Sequence, residues 1–474
     1  MLLVLAMTIA VVAGDDVSLR AAPERTAAQQ ATLWRGDWLE LRGERKGWLK
    51  VYDHRHERAG WITREYARVI EVDEAHTDQL RAVVDFLRDQ PGSESLGIAY
   101  AGLYLRAAPA SAIQIDVLVG LGVMADRLAR RASGPGTARG ERALAAHVEV
   151  AQSWGVKFAS VDDGERARLC YDGEAFRYAL GLGATGDDRA RAALALTDER
   201  CAPPAFGLLG RQTVDEARLA LVTPIDPTRV AGWLGNRLRI RRAFIGASLV
   251  WTVARRGDAA GARKLADEAL AAFLRVDKAE LADEDLASFD AAALMVVSSR
   301  WAGAPPTAPT PAAARKLTLV STPGAGGETC PGLAIGGKPL ASLAQRCTHG
   351  QVWASSFRAA PDGASAVVAV QPLPGWLELW LFRRDTDGAW TIDVLPPNTD
   401  GPDLGYVDLA GWSPDGTRML LVRESRTSGA TQRSFEIVSV ATLAVEREHR
   451  RWAAVGAARR WATAAWRDQA LALR

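Results

Sequence analysis

Cysteine, histidine and long apolar runs are scarce in this chain, and each scarcity removes a class of function. Four cysteines occur and none form a C-x-x-C pair, which excludes the usual dithiol redox centre. The six histidines (His54, His56, His76, His147, His349 and His449) are scattered, so general-base candidates are few. There is no G-x-S-x-G elbow, no G-x-x-x-x-G-K-[ST] loop and no H-E-x-x-H helix. Gly181-Leu182-Gly183 follows helical sequence rather than a strand, so a dinucleotide fingerprint fails. No catalytic residue, metal ligand set or cofactor can be named. Net charge is only +2, which gives no long-range field to select nucleic acid. No apolar run reaches the roughly 20 residues that a membrane-spanning helix needs.

What is present is an ordinary globular composition, 48% hydrophobic and 24% charged, over 474 residues. That length exceeds what one core usually organises, and two to four domains are expected. Arg far outnumbers Lys and Ala is abundant, the mark of a GC-rich genome. Leu2 to Ala13 is a short run of apolar and small residues, followed by Gly14, Asp15 and Asp16. Its length and small-residue end predict a signal peptide over residues 1–14. No Lys or Arg precedes the run, so either the true start lies upstream or the signal is a poor one. Cys170 with Cys201 and Cys330 with Cys347 make the simplest of three connectivities; four buried free thiols are the alternative. In an oxidising compartment each closed loop would stabilise by roughly 3 kcal/mol.

Residues 15–72 alternate in short runs, Trp38-Leu39-Glu40-Leu41 and Trp48-Leu49-Lys50-Val51-Tyr52, with Gly36, Gly43, Gly47 and Gly60 supplying turns. The opening Val17-Ser18-Leu19-Arg20-Ala21-Ala22-Pro23, the Gly47-Trp48-Leu49-Lys50-Val51 and Gly60-Trp61-Ile62 strands and the closing Tyr66 together resemble a bacterial SH3 domain. That resemblance implies a small five-stranded β-barrel and a place in the cell envelope, where some relatives recognise peptidoglycan peptides. Trp34, Trp48, Tyr52, Trp61 and Tyr66 become the candidate ligand groove, with Trp48 and Trp61 expected chiefly as barrel core. His54-Arg55-His56, flanked by Asp53 and Glu57, reads as a polar hairpin tip rather than a metal site.

From Glu74 to Trp301 the apolar period becomes helical, predicting an all-α domain over 74–301. Arg242 to Asp277 is its clearest unit: two amphipathic stretches flank Arg256-Gly257-Asp258, with Ala262, Ala266 and Ala269 on the inner side. This looks like a tetratricopeptide hairpin, present once where an array needs about three. Cys170 and Cys201 are placed to close a second helical hairpin.

Ala302 to Ala314, with four prolines, is a linker. Residues 315–474 form an all-β module. Pro361-Asp362-Gly363 and Ser413-Pro414-Asp415-Gly416 recur with strands on either side, and their turn resembles that of WD40-like repeats in periplasmic Tol-type propellers. A β-sandwich is the competing architecture. Trp466-Arg467-Asp468 is a candidate third copy, and Lys316 to Val320 a candidate partner for Gln469 to Leu473. Cys347 and His349 are close enough for a dyad, but Cys330 is the better partner for that thiol. Asp385-Thr386-Asp387-Gly388 reads as a hairpin turn rather than a calcium loop.

The sequence therefore implies an exported, multidomain binding or scaffold protein of the periplasm or cell envelope of a Gram-negative bacterium. Its partner would be a cell-wall peptide or an envelope protein, with no nucleic acid and no membrane span after cleavage. A periplasmic assembly or signalling partner is the second reading, and a cell-wall hydrolase with unidentified carboxylates the third.

Overall fold

Met7–Val12, inside the segment expected to be cleaved, is a β-strand of the computed structural model, which describes residues 7–162, 167–202, 207–303, 317–340, 345–385, 387–399, 401–427 and 429–471. The N-terminal sheet contains β1 (Met7–Val12), β2 (Val17–Arg20), β3 (Gln29–Leu33), β4 (Trp38–Arg45), β5 (Trp48–Asp53), β6 (Arg58–Thr63) and β7 (Ala67–Val72). All neighbours are antiparallel, in the order β3-β2-β6-β5-β4-β1-β7. β1 is thus an interior strand. Ala10 and Val12 join a core of Leu19, Leu33, Leu39, Leu49, Val51 and Ile62. Ile9 and Val11 point the other way, into helical residues such as Leu80, Val84, Ile98 and Leu103. Buried on both faces, the strand is apolar from Ile9 to Val12, a composition it shares with a leader. The segment expected as a signal peptide, 1–14, thus contributes a strand to the N-terminal sheet, ahead of the expected module start at residue 15.

The helices on that face are α1 (Thr77–Arg88), α2 (Glu94–Ala107), α3 (Ile115–Ala132) and α4 (Ala138–Ser153). A hairpin of β8 (Phe158–Asp162) and β9 (Ala167–Tyr171) follows, then α5 (Glu174–Gly181) and α6 (Gly186–Leu196). Cys170 of β9 is bonded to Cys201 beyond α6, so the staple encloses the α5–α6 hairpin as expected. Gly36 takes φ of +95°, and a Cβ there would lie 2.5 Å from the Ser95 carbonyl oxygen of α2. Only glycine permits both the turn and this approach. Glu94 is fully buried and bonded to Arg127 and Arg131 of α3.

The chain divides into two compact units, Met1–Ala202 and Pro203–Arg474, so the helices expected as one middle domain are shared between them. The second unit begins with α7 (Gly207–Val222), α8 (Gly232–Arg255), α9 (Ala259–Leu274) and α10 (Asp283–Ser299). α8 and α9 form the hairpin read from Arg242 to Asp277. Asp258 caps α9 by accepting from the Gly261 amide at 2.8 Å, and Ala262, Ala266 and Ala269 are buried. Of the expected linker, Ala302 and Gly303 close a short turn after α10, and residues 304–314 lie outside the described residues.

β10 (Leu317–Pro323), β11 (Thr329–Ile335) and β12 (Lys338–Pro339) make a three-stranded sheet, with Cys330 bonded to Cys347. Two antiparallel meanders follow: β13 (Gln351–Ala359), β14 (Ser365–Leu373), β15 (Trp376–Arg384) and β16 (Trp390–Leu395), then β17 (Gly405–Trp412), β18 (Arg418–Thr427), β19 (Ala430–Ser439) and β20 (Val445–His449). A short parallel contact of β15 with β17 joins them into one open sheet. Pro361-Asp362-Gly363 links the first two strands of one meander and Ser413 to Gly416 the first two of the other, so the sequence echo marks equivalent turns. Gly416 adopts φ of +74°, and a Cβ there would lie 2.7 Å from the Asp362 carboxyl carbon. The two turns touch.

Neither a closed barrel nor a closed propeller forms among the described residues: β3 and β7 do not pair, and the meanders remain one open sheet. Two finer expectations are corrected. Trp466-Arg467-Asp468 belongs to a helix, α11 (Ala464–Gln469), and is no third copy. Leu317–Pro323 pairs with β11, not with the C-terminal residues. α11 instead presents Trp466, whose indole N–H donates to the buried Asp408 carboxylate at 2.7 Å; Arg300, just beyond α10, pairs with the same oxygen. No helix among the described residues is long and apolar enough to cross a membrane.

Candidate functional site

Alternation along β5 and β6 decides which side chains face outward. Leu49, Val51, Gly60 and Ile62 are buried, while Trp48, Lys50, Tyr52 and Trp61 lie on the opposite face. Trp48 and Trp61 are therefore half-exposed, and the expectation that they fill the core is corrected. In each Trp-apolar pair the smaller aliphatic neighbour is inside, because Leu and Ile fill the small interior beside Leu19 and Leu39.

The outer face carries a continuous aromatic and cationic row. The Arg42 guanidinium lies 4.1 Å from the centre of the Tyr52 ring. Tyr52 meets His54 edge-on at 4.8 Å, and His54 stacks on Trp38 at 5.3 Å with a 22° interplanar angle. Trp38 lies 6.2 Å from Trp154, and the Arg106 guanidinium is 5.2 Å from the first ring and 4.8 Å from the second. Cations over indole faces are attracted by the ring quadrupole. β4 positions Trp38, β5 positions Tyr52, the C-terminal end of α2 positions Arg106, and Trp154 follows α4. The Trp154 indole N–H donates to the Gly36 carbonyl at 2.9 Å, which fixes the ring.

Charge along the row is uneven. Glu40 bonds Arg42 at 3.0 Å and His54 at 2.8 Å, and these two partners hold its carboxyl below the ordinary range. Arg106 has no ion-pair or hydrogen-bond partner among the described residues. Partial burial against the rings lowers its pKa from the ordinary value, but a guanidinium stays charged. An exposed, stacked and unmatched cation can accept a carboxylate in bidentate fashion.

Of the five candidates, only Tyr52 belongs to this row. Trp34 sits edge-on to His147 at 6.2 Å. Tyr66 is exposed beside Gly14, and no ring contact joins it, Trp48 or Trp61 to Tyr52 among the described residues. Sequence reasoning missed Trp38, Arg106 and Trp154. Trp38 was open to detection, since Glu40, two residues on and on the same face, pairs with Tyr52.

The other clusters read from the sequence are engaged in local contacts among the described residues. His56 bonds Asp53 and His54 bonds Glu40, so the hairpin-tip imidazoles turn to different carboxylates. Glu71, Asp73 and His76 lie within 4.8 Å of one another, but Asp73 accepts from His76 as the cap of the turn preceding α1. Cys347 is consumed by its disulfide, which leaves His349 no thiol to activate. Asp385 accepts from the Asp387 and Ala389 amides, closing the β15–β16 turn. Compared with family models, curated proteins and solved structures, the chain matches none.

Proposed function

We propose that the protein is an exported cell-envelope binding protein whose SH3-like N-terminal sheet recognises a carboxylate-bearing wall peptide. The observation that carries this reading is the row from Arg42 to Trp154, which ends in the unmatched Arg106. Aromatic rings supply large contact area at low entropic cost, and Arg supplies orientation for an acid. Two disulfides support an oxidising compartment. The β-rich part of the second unit, with its paired Pro-Asp-Gly turns, is proposed to be propeller-like and to serve as a further surface for envelope proteins.

Retention on purified peptidoglycan sacculi tests the reading. Wild type should be retained and released by free wall peptide, and Trp38→Ala or Arg106→Gln should lower the bound fraction about tenfold, the loss of one buried anchor. Failure of wild type to bind, or equal binding by both variants, would overturn it.

A further inference from the structure

The second unit holds a cavity of about 380 Å³ among α7, α8 and α9. Its size falls in the range of small-molecule sites. Leu219 of α7, Leu265 and Ala269 of α9 and Pro227 line an apolar wall. Gly246 of α8 completes it, and a Cβ there would touch the Ala269 Cβ at 3.4 Å.

Three arginines also line the cavity: Arg239 and Arg242 of α8, and Arg275 just after α9. Arg242 is held in place, its side chain donating to the Val222, Thr223 and Ile225 carbonyls at the end of α7. Arg239 donates to Asn236 Oδ1 at 3.2 Å. None of the three has a carboxylate within ion-pair distance among the described residues. Two carboxylates do reach the cavity; Asp226 attracts Arg242 from beyond ion-pair distance, and both carboxylates have other partners. Asp226 accepts from the Thr228 amide and hydroxyl and lies 3.6 Å from Arg229, while Glu268 faces Lys264 at 3.9 Å. The cavity therefore joins an apolar wall to a surplus of positive charge.

We propose that this cavity binds a small amphipathic carboxylate, its head on Arg239 and Arg275 and its aliphatic or aryl tail against Leu219, Leu265 and Ala269. The planar guanidinium fork matches a carboxylate. A bare inorganic anion would leave the apolar wall uncovered, and an apolar cation would meet like charge. The site is independent of the N-terminal face and stands or falls without it.

Calorimetric titration of the full-length oxidised protein with octanoate, acetate and octylamine tests it. Octanoate should bind saturably and at least tenfold tighter than acetate, and octylamine should not bind. Arg275→Glu changes an exposed side chain, and circular dichroism checks that its fold is intact. It should weaken octanoate at least tenfold and admit octylamine, a reversal of selectivity that a purely structural role would not produce. Absence of saturable octanoate binding, equal affinity for octanoate and octylamine, or an Arg275→Glu variant with unchanged selectivity would overturn the proposal.

Discussion

Val11 of β1 stands directly opposite Trp38 of β4, so the strand that reads as a leader supports the central ring of the candidate face. Its own side chain is fully buried against the helices. Val11→Asp places a carboxyl in that apolar layer and should cost about 3 kcal/mol or more. Urea denaturation followed by Trp fluorescence reads the loss. Mass spectrometry of the protein recovered from cells should also find Met7–Val12 retained. A Val11→Asp variant unfolding at the wild-type midpoint would contradict the interior placement of β1.

The same strand shows where legibility ended. Local signals were readable: the alanine spacing of α9, the Pro-Asp-Gly turns and the two cysteine pairs all depend on neighbours close in sequence or on simple pairing. β1 has no period-two alternation because helices cover one face and strands the other, and composition alone does not distinguish that from an export signal. The candidate face was readable only in Tyr52. Arg106 and Trp154 arrive from α2 and the end of α4, and nothing near Trp38 in the sequence announces them. Which member of each Trp-Leu or Trp-Ile pair turns inward is likewise set by the volume between strands.

Glu94 contributes acid sensitivity to the first unit. Burial pushes its carboxyl up, but the Gly92 amide, Arg131 and Arg127 outweigh that and hold it below the ordinary Glu value. A depressed folded pKa contributes stability above the unfolded value of about 4.3 that is lost as pH falls through the folded one. Glu94→Gln leaves Arg127 without its buried partner and should cost about 3 kcal/mol near neutral pH. The variant should also show a flatter decline in stability below pH of about 4. Parallel wild-type and variant curves on the acid side would refute this role.

Asp408 should be a highly sensitive polar position of the second unit, because one buried carboxylate serves both Arg300 and Trp466. Asp408→Ala strands a buried guanidinium and should cost about 3–5 kcal/mol. Adding Arg300→Met removes the stranded charge, so the double variant should be more stable than Asp408→Ala alone. Additive losses in chemical denaturation would show that the two side chains act independently.

The Ser413 to Gly416 turn offers a local titration. The Ser413 hydroxyl and the Thr417 amide bring the Asp415 carboxyl down to about 2. Selective carbon-13 labelling of Asp side chains should find one carboxyl titrating there, and Ser413→Ala should move it up toward the ordinary value. With a lowered folded pKa, the turn is supported at neutral pH and weakened as pH falls through about 2. Gly416→Ala tests the same turn sterically. Its positive φ should cost about 1–2 kcal/mol for any residue with a Cβ, and contact with Asp362 should add to that. Asp362→Ala in the same chain should recover the contact penalty and leave the backbone penalty. If Asp362→Ala recovers nothing, the two turns do not press on each other, and the touching of the two meanders at these loops is disproved.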